Sequence, residues 1–213
     1  YKLATSPNGN GGWFSSLKNA GLLDLIHENG IEWLNVFAVD NVLQRIADPC
    51  FIGATITENR SVGAKVVCKN HPDEKVGVMC LKDNHPSIVE YYELTPELRD
   101  AVNEDGEPAY NFGVILNYLF KESELEDICE NTLPLHIVEK KIPYIDDAGT
   151  LIKPEEPNGY KFETLILDMI QMMDTCLPFE VERDKEFAPI KNKTGIDSVE
   201  SARALLAKNG VTL

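Results

Sequence analysis

The first strong pattern along the chain is helical. Between residues 13 and 29 the apolar positions Phe14, Leu17, Leu22, Leu25 and Ile26 recur at roughly helical spacing, and Gly30 follows as a C-terminal stop. The rhythm then changes. In "IEWLNVFAVDN" the run Leu34, Val36, Phe37, Ala38 and Val39 is apolar on both faces, which predicts a buried, parallel strand that ends at Asp40. Loop, helix, buried strand and terminal acid follow the grammar of an open α/β sheet, where ligands bind beyond the carboxyl ends of the strands.

Alternating segments come next. "GAKVVCKN", "KVGVMCLKD" and "SIVEYYEL", separated by the turn-rich "HPDE" and "NHP", predict an antiparallel meander inserted in or appended to the α/β layer. A helix is expected over 96–102, and "YNFGVIL" reads as a strand that delivers Asn111 to a turn before another helical stretch. Acidic helical segments are expected over 123–139, and a hairpin turn over 147–149. Phe162, Leu165, Ile166, Met169, Ile170 and Met173 make a helical stripe that reads as core packing. A strand over 179–189 and a terminal helix over 198–208 finish the chain, and the opening "YKLATSP" resembles the end of a strand. The fold class is α/β, a Rossmann-like domain with a mixed sheet and an antiparallel meander.

Composition narrows the function. The chain has 213 residues, is 43% hydrophobic and 26% charged, enough to bury one sizeable core. Its net charge of −15 argues against a nucleic-acid surface, which needs clustered Lys and Arg, and leaves room for an anionic small molecule met by local cations. The five cysteines, Cys50, Cys68, Cys80, Cys129 and Cys176, are widely spaced with no C-x-x-C pair, and read as small buried residues of a reduced, cytoplasmic protein. No apolar run approaches the ~20 residues that span a bilayer. His27, His71, His85 and His136 fall on expected surface turns and helices without a partner at triad or zinc spacing.

Five places could carry chemistry. "SPNGNGGWF" is either a loop leading into the helix or a backbone cradle for a nucleotide or phosphate. Asp40 suits a hard cation such as Mg²⁺ together with substrate phosphates, or else caps the following turn with Asn41. Glu90, in phase with Ile88 and Tyr92, is a buried hydrogen-bonding carboxylate or a solvated strand-edge one. Asn111 offers an amide to a sugar hydroxyl or simply terminates a strand. Lys191 suits a phosphate or is a loop lysine in water.

In chain order, the phrases "SPNGNGGWF", "FAVDNVLQRIADPCFIG", "GAKVV", "VGVMC", "IVEYYE", "YNFGVI", "KKIPYID", "LIKPEEPNGYKFE" and "EFAPIKN" resemble the central part of the eukaryotic-type UDP-N-acetylhexosamine pyrophosphorylases. Relatives that handle UDP-glucose typically carry a His in the loop, in a pattern like P-G-H-G, where this chain has Asn10. The resemblance implies that residues 1–213 are part of a nucleotide-diphospho-sugar transferase domain. It implies a uridylyltransferase that makes UDP-N-acetylglucosamine and pyrophosphate from UTP and N-acetylglucosamine 1-phosphate. By motif position, Gly9 would lie against the uridine and Asn10 against the nucleotide-sugar. Gly77 and Glu90 would meet the sugar, and Asn111 its N-acetyl or hydroxyl groups. Asp40 would be the Mg²⁺ ligand and Lys191 the catalytic cation on the phosphates. Leu165 and Leu167 match residues that shape the N-acetyl pocket, though packing explains them as well.

The family's glycine-rich L-x-G-G-x-G-T-R-type loop does not occur in these residues, nor does its C-terminal β-rich region. The expectation is therefore the sugar side and part of the uridine side of the site, with little turnover by this chain alone. The alternatives are a non-catalytic nucleotide-sugar-binding protein and a UDP-glucose or broad UDP-sugar pyrophosphorylase. No nucleic-acid or membrane partner is expected.

Overall fold

The computed structural model describes residues 5–129 and 131–212. Residues 1–4, on which most of the strand expected in "YKLATSP" falls, lie outside that range. Helices α1 (Trp13–Asn19) and α2 (Leu23–Glu28) lead to strand β1 (Trp33–Phe37). Then come α3 (Pro49–Thr57), β2 (Val62–Cys68), β3 (Val78–Lys82), β4 (His85–Val89), α4 (Pro96–Arg99), β5 (Phe112–Lys121) and α5 (Glu122–Ile128). The remainder holds β6 (His136–Lys140), β7 (Tyr144–Ile145), β8 (Leu151–Ile152), β9 (Gly159–Glu163), α6 (Ile166–Gln171), β10 (Cys176–Glu180), α7 (Arg183–Glu186) and α8 (Val199–Lys208).

The main sheet is mixed and runs β10-β2-β5-β3-β4, with β1 also on β5. Only β10 and β2 pair in parallel, and every other pairing in it is antiparallel. Strand β5 organises the rest. One of its sides is taken along its length by β2, and the other is shared: β1 pairs with residues 117–121, while β3 meets it at Gly113. Two small antiparallel pairs, β6 with β9 and β7 with β8, stand apart from this sheet. The hairpin turn expected over 147–149 joins the second pair.

The core forms where α1, α5 and α6 cover the sheet. Phe14, Leu125, Ile166, Met169, Ile170 and Met173 pack there against Val62, Val66, Ile88, Tyr118 and Phe120. Each fully buried side chain of this size contributes about 1.5–3 kcal/mol relative to exposure. The expected packing role of the 162–173 stripe holds from Leu165 onward. Phe162 belongs instead to β9 and is 52% exposed, so the helical period begins only at α6.

Other expectations are corrected. The first helix is broken in two at Gly21, whose φ of +71° closes α1 because its N–H and that of Leu22 turn back to Lys18 and Leu17. Strand β1 is half-buried and antiparallel, since β5 alone borders it, and Val39 lies beyond its end, exposed. β5 starts after Asn111 and continues to Lys121, so Asn111 precedes a long strand. Within 123–139 only the first part is helical, because His136–Lys140, with β-branched Ile137 and Val138, pairs with β9. The strand expected over 179–189 ends at Glu180 and gives way to α7. Cys50 and Cys68 are exposed and the other three cysteines half-buried, all of them free. Among the described residues no helix is long and apolar enough to cross a membrane.

Candidate functional site

Because β1 and β3 hold opposite ends of the same side of β5, the sheet opens between them at Val114, Ile115 and Leu116. A cleft of about 280 Å³ fills that opening, lined by Asp40, Lys75, Val76, Gly77, Glu90, Tyr91, Phe187, Pro189 and Lys191 among others. Four of the seven residues singled out from the sequence, Asp40, Gly77, Glu90 and Lys191, therefore meet in one place.

Local geometry explains how Asp40 comes to face this space. Leu116 adopts a left-handed φ of +50° in the middle of β5, where the register with β2 slips. Its carbonyl accepts a hydrogen bond from Ala38 N at 2.9 Å and fastens the segment that leaves β1. The next turn is capped by Asn41, which is buried. The Asn41 Oδ1 accepts from Leu43 N at 3.2 Å and Ala188 N at 2.8 Å, and its Nδ2 donates to the Glu186 carbonyl at 2.8 Å. With capping assigned to Asn41, the Asp40 carboxylate is left without a protein donor among the described residues.

The same hydrogen bonds bring in Lys191. Ile190 N donates to the Asp40 carbonyl at 2.9 Å, Val42 N to the Ala188 carbonyl at 3.2 Å, and Asn41 bridges to Pro189. Asp40 and Lys191 thus sit on two chain segments laid side by side, although about 150 residues separate them in sequence. The far wall is different. Gly77 is buried, and a Cβ there would come within 3.1 Å of Ile88 Cγ2, 3.3 Å of Val114 Cγ2 and 3.6 Å of Glu90 Oε1. Burial, reinforced by the neighbouring Glu93 charge, raises the Glu90 carboxyl above its ordinary value, while His136 and Lys191 pull it back in part.

Gly9 and Asn10 lie elsewhere, against the start of α6. Gly9 has φ +91°, and a Cβ there would fall 2.1 Å from the Thr164 carbonyl, so the close approach at this glycine serves another part of the chain. The Asn10 Oδ1 accepts from Ile166 N at 2.9 Å, which leaves its Nδ2 to offer. The following glycines line a second cavity of about 330 Å³ with Asn8, Leu133, Thr164 and Met169. The two regions approach each other through Glu163. A Cβ on Gly9 would fall 3.1 Å from the Glu163 Cβ, and the Glu163 charge is among those that, behind burial and Glu90, push the Tyr92 hydroxyl up.

Asn111 does not line the cleft. Its Oδ1 and carbonyl both accept from Lys69 N at 3.0 Å, so the amide ties β2 to the start of β5. Leu165 and Leu167 pack in or against the main core. Sequence reasoning missed Lys75 and Tyr91, whose only local signal was their nearness to Gly77 and Glu90. It also missed the pair His136 Nε2 and Asp168 Oδ2, 2.9 Å apart and mostly buried, with His136 on a strand instead of a surface turn. Among the described residues, the grouping of His27, Glu122 and Glu126 has ligand atoms close enough for a metal, and none of the three lines the cleft.

Known proteins share this architecture. The chain is 41% identical over 214 residues to a UDP-N-acetylhexosamine pyrophosphorylase-like protein 1 from Mus musculus, covering 98% of the chain and 42% of that protein. It is 38% identical over 221 residues to a UDP-N-acetylglucosamine pyrophosphorylase from Saccharomyces cerevisiae, covering 99% of the chain and 46% of that protein. A crystal structure of an Entamoeba histolytica protein named for the same activity superposes with a TM-score of 0.89 at 35% identity, over 97% of this chain and 52% of that one. The chain therefore spans less than half the length of these curated relatives. Residues 2–212 match the family described as UTP–glucose-1-phosphate uridylyltransferase, and the chain belongs to that family.

Proposed function

We propose that the cleft is the sugar and phosphate side of a uridylyltransferase site acting on N-acetylglucosamine 1-phosphate and UTP. The observation that carries this reading is the convergence of Asp40, Glu90, Lys75 and Lys191 on one cleft, with no hydrogen bond to any of their charged ends from the described residues. Elsewhere Lys65, Lys161, Lys185, Lys208 and Arg183 are paired with carboxylates, and among the described residues lysines such as Lys82, Lys140 and Lys193 are not, so the shared cleft is what sets Asp40, Glu90, Lys75 and Lys191 apart. Unpaired charges of both signs facing one cleft suit a ligand that has anionic phosphates at one end and hydroxyl donors at the other.

In the proposed reaction a phosphate oxygen of the sugar phosphate forms a bond to the α-phosphorus of UTP as the bond to pyrophosphate breaks. No covalent nucleophile is required, so positioning and charge neutralisation carry the rate. Lys191 and Lys75 would meet phosphate oxygens as charge-assisted donors. Glu90 would accept from sugar hydroxyls, and Gly77, whose missing side chain lets Ile88, Val114 and Glu90 pack close, would meet the sugar with its main chain. Asp40 fits Mg²⁺, a cation that prefers oxygen ligands and offsets phosphate charge, because its carboxylate is half-exposed and uncommitted. Asn10, with its oxygen already bonded, would contribute through Nδ2, and Gly9 would present main chain toward the uridine, while Asn111, outside the cleft, has no part in this reading beyond tying β2 to β5.

Calorimetric titration of the whole native protein with UDP-N-acetylglucosamine and UDP-glucose, with and without Mg²⁺, tests the assignment. Tighter binding of the N-acetyl sugar and dependence on Mg²⁺ are expected, and equal affinity for the two sugars would sink the N-acetyl part. Lys191→Ala should weaken binding by about 1.5–3 kcal/mol, the range for a hydrogen bond to a charged group.

A further inference from the structure

Beneath the Asp40 and Lys191 segments lies a second set of charges that the reaction does not touch. Lys65, in the middle of β2, is fully buried, and its Nζ donates to Asp48 Oδ2 at 2.7 Å and Glu186 Oε2 at 2.5 Å. Both acids are buried too. Each holds a chain segment that leads to the cleft. Asp48 is the N-cap of α3, its Oδ1 accepting from Cys50 N at 3.1 Å, and it closes the loop that starts at Asp40. Glu186 ends α7, five residues before Lys191, and its carbonyl is the acceptor for Asn41 Nδ2. Arg45, mostly exposed, adds a weaker contact to Glu186 at 3.5 Å and brings the formal charge of the group to zero.

A buried ion group of this kind is a poor source of stability, because taking the charges out of water offsets most of their attraction. Its effect is geometric. An ammonium between two carboxylates fixes both their distance and their direction. Here the two carboxylates belong to the two segments whose ends carry Asp40 and Lys191.

We propose that Lys65 is a positioning residue, which through Asp48 and Glu186 sets the spacing of Asp40 and Lys191 across the cleft. The inference rests on the reading of that cleft as a nucleotide-sugar site. Lys65 touches no ligand. Its influence runs by way of Glu186 to Asn41, and from Asn41 to the paired segments 40–43 and 186–190.

The test is a mutant cycle in the whole native protein, with calorimetric affinity for UDP-N-acetylglucosamine in Mg²⁺ as the readout. Wild type must bind first; if it does not, the reading of the site fails and the cycle is not reached. The neutral triad Lys65→Met, Asp48→Asn, Glu186→Gln keeps shape and leaves no buried lone charge, so it is expected to melt cooperatively near the wild-type temperature. Its affinity should fall about ten-fold in the native background and less than about two-fold in a Lys191→Ala background, the signature of coupled residues. An unchanged affinity, or the same loss in both backgrounds, overturns the proposal. Should the triad not melt cooperatively, the cycle is run with Asp48→Asn alone. That variant keeps the helix cap and the Lys65 contact to Glu186, and a coupling of about three-fold is expected from it. Additive losses there overturn the proposal equally.

Discussion

Glu90 shows how one side chain's surroundings set its chemistry. Burial and the adjacent Glu93 raise its carboxyl above the ordinary 4.5, and Lys191 and His136 oppose the rise. The ionised carboxylate is the stronger acceptor for sugar hydroxyls, so affinity should decline as pH falls through a range higher than that of a free carboxylate. The raised value also makes the ionised form a cost to folding near neutrality, relieved as the pH drops through it. Titrating UDP-N-acetylglucosamine affinity from pH 7.5 down to 4, which brackets the ordinary value, should show this decline in wild type, whereas Glu90→Gln should bind more weakly and with a flat profile. A flat wild-type profile would remove Glu90 from the sugar contact. Asp40 and Lys191 were legible locally, at a strand end and after a proline, whereas Gly77 came only from the resemblance and Glu90, read inside a strand, follows the end of β4. Lys65, Asp48, Glu186 and the pair His136 and Asp168 were not legible, since their partners lie 17 to 121 residues away and only folding brings them together.

Among the elements, those with a complete local signal are where the sequence placed them. α8 begins after Ser198, where a capping box with Ser201 satisfies the first N–H groups, and α4 begins after Thr95 at a proline, though it stops at Arg99, short of the expected 102. β6 and the antiparallel β1 were misread because their state is decided by a partner strand, β9 or β5, which no local period reveals. The contact between α2 and α5 is of the second kind. His27 Nε2 lies 3.0 Å from Glu122 and 3.5 Å from Glu126, and the hydrogen bond to Glu122, followed by both carboxylate charges, outweighs desolvation and raises the imidazole above its ordinary 6.5. A raised imidazole stabilises fully below its ordinary value and ceases to as pH rises through the folded one. The melting temperature of wild type should therefore exceed that of His27→Gln at pH 6, with the gap closing toward pH 8.5. A gap independent of pH would mean that packing, and not the charge, joins the two helices.

At the scale of the whole molecule, the cleft is built from parts distant in sequence. β1 and Asp40 come from the first fifth, Gly77 and Glu90 from the β3 and β4 hairpin, and Lys191 from near the end. Its floor is the one stretch of β5 that neither β1 nor β3 covers. A ligand seated there would bridge all of these segments, so its binding energy should stabilise the fold as a unit. Linkage sets the size of the effect: a ligand at one hundred times its dissociation constant adds about 2.7 kcal/mol. For a chain of this length that corresponds to a rise in melting temperature of roughly 5–11 °C. UDP-N-acetylglucosamine with Mg²⁺ should produce a rise in the whole native protein, smaller in proportion to any greater length of that protein, and Lys191→Ala should reduce it at the same ligand concentration. The chain carries a net charge of −15, which repels any phosphate before it arrives, so removing one of the two cations that face the cleft should have a disproportionate effect. If Lys191→Ala leaves the rise intact, the phosphates are held by other groups and the cleft's cations belong to the surface.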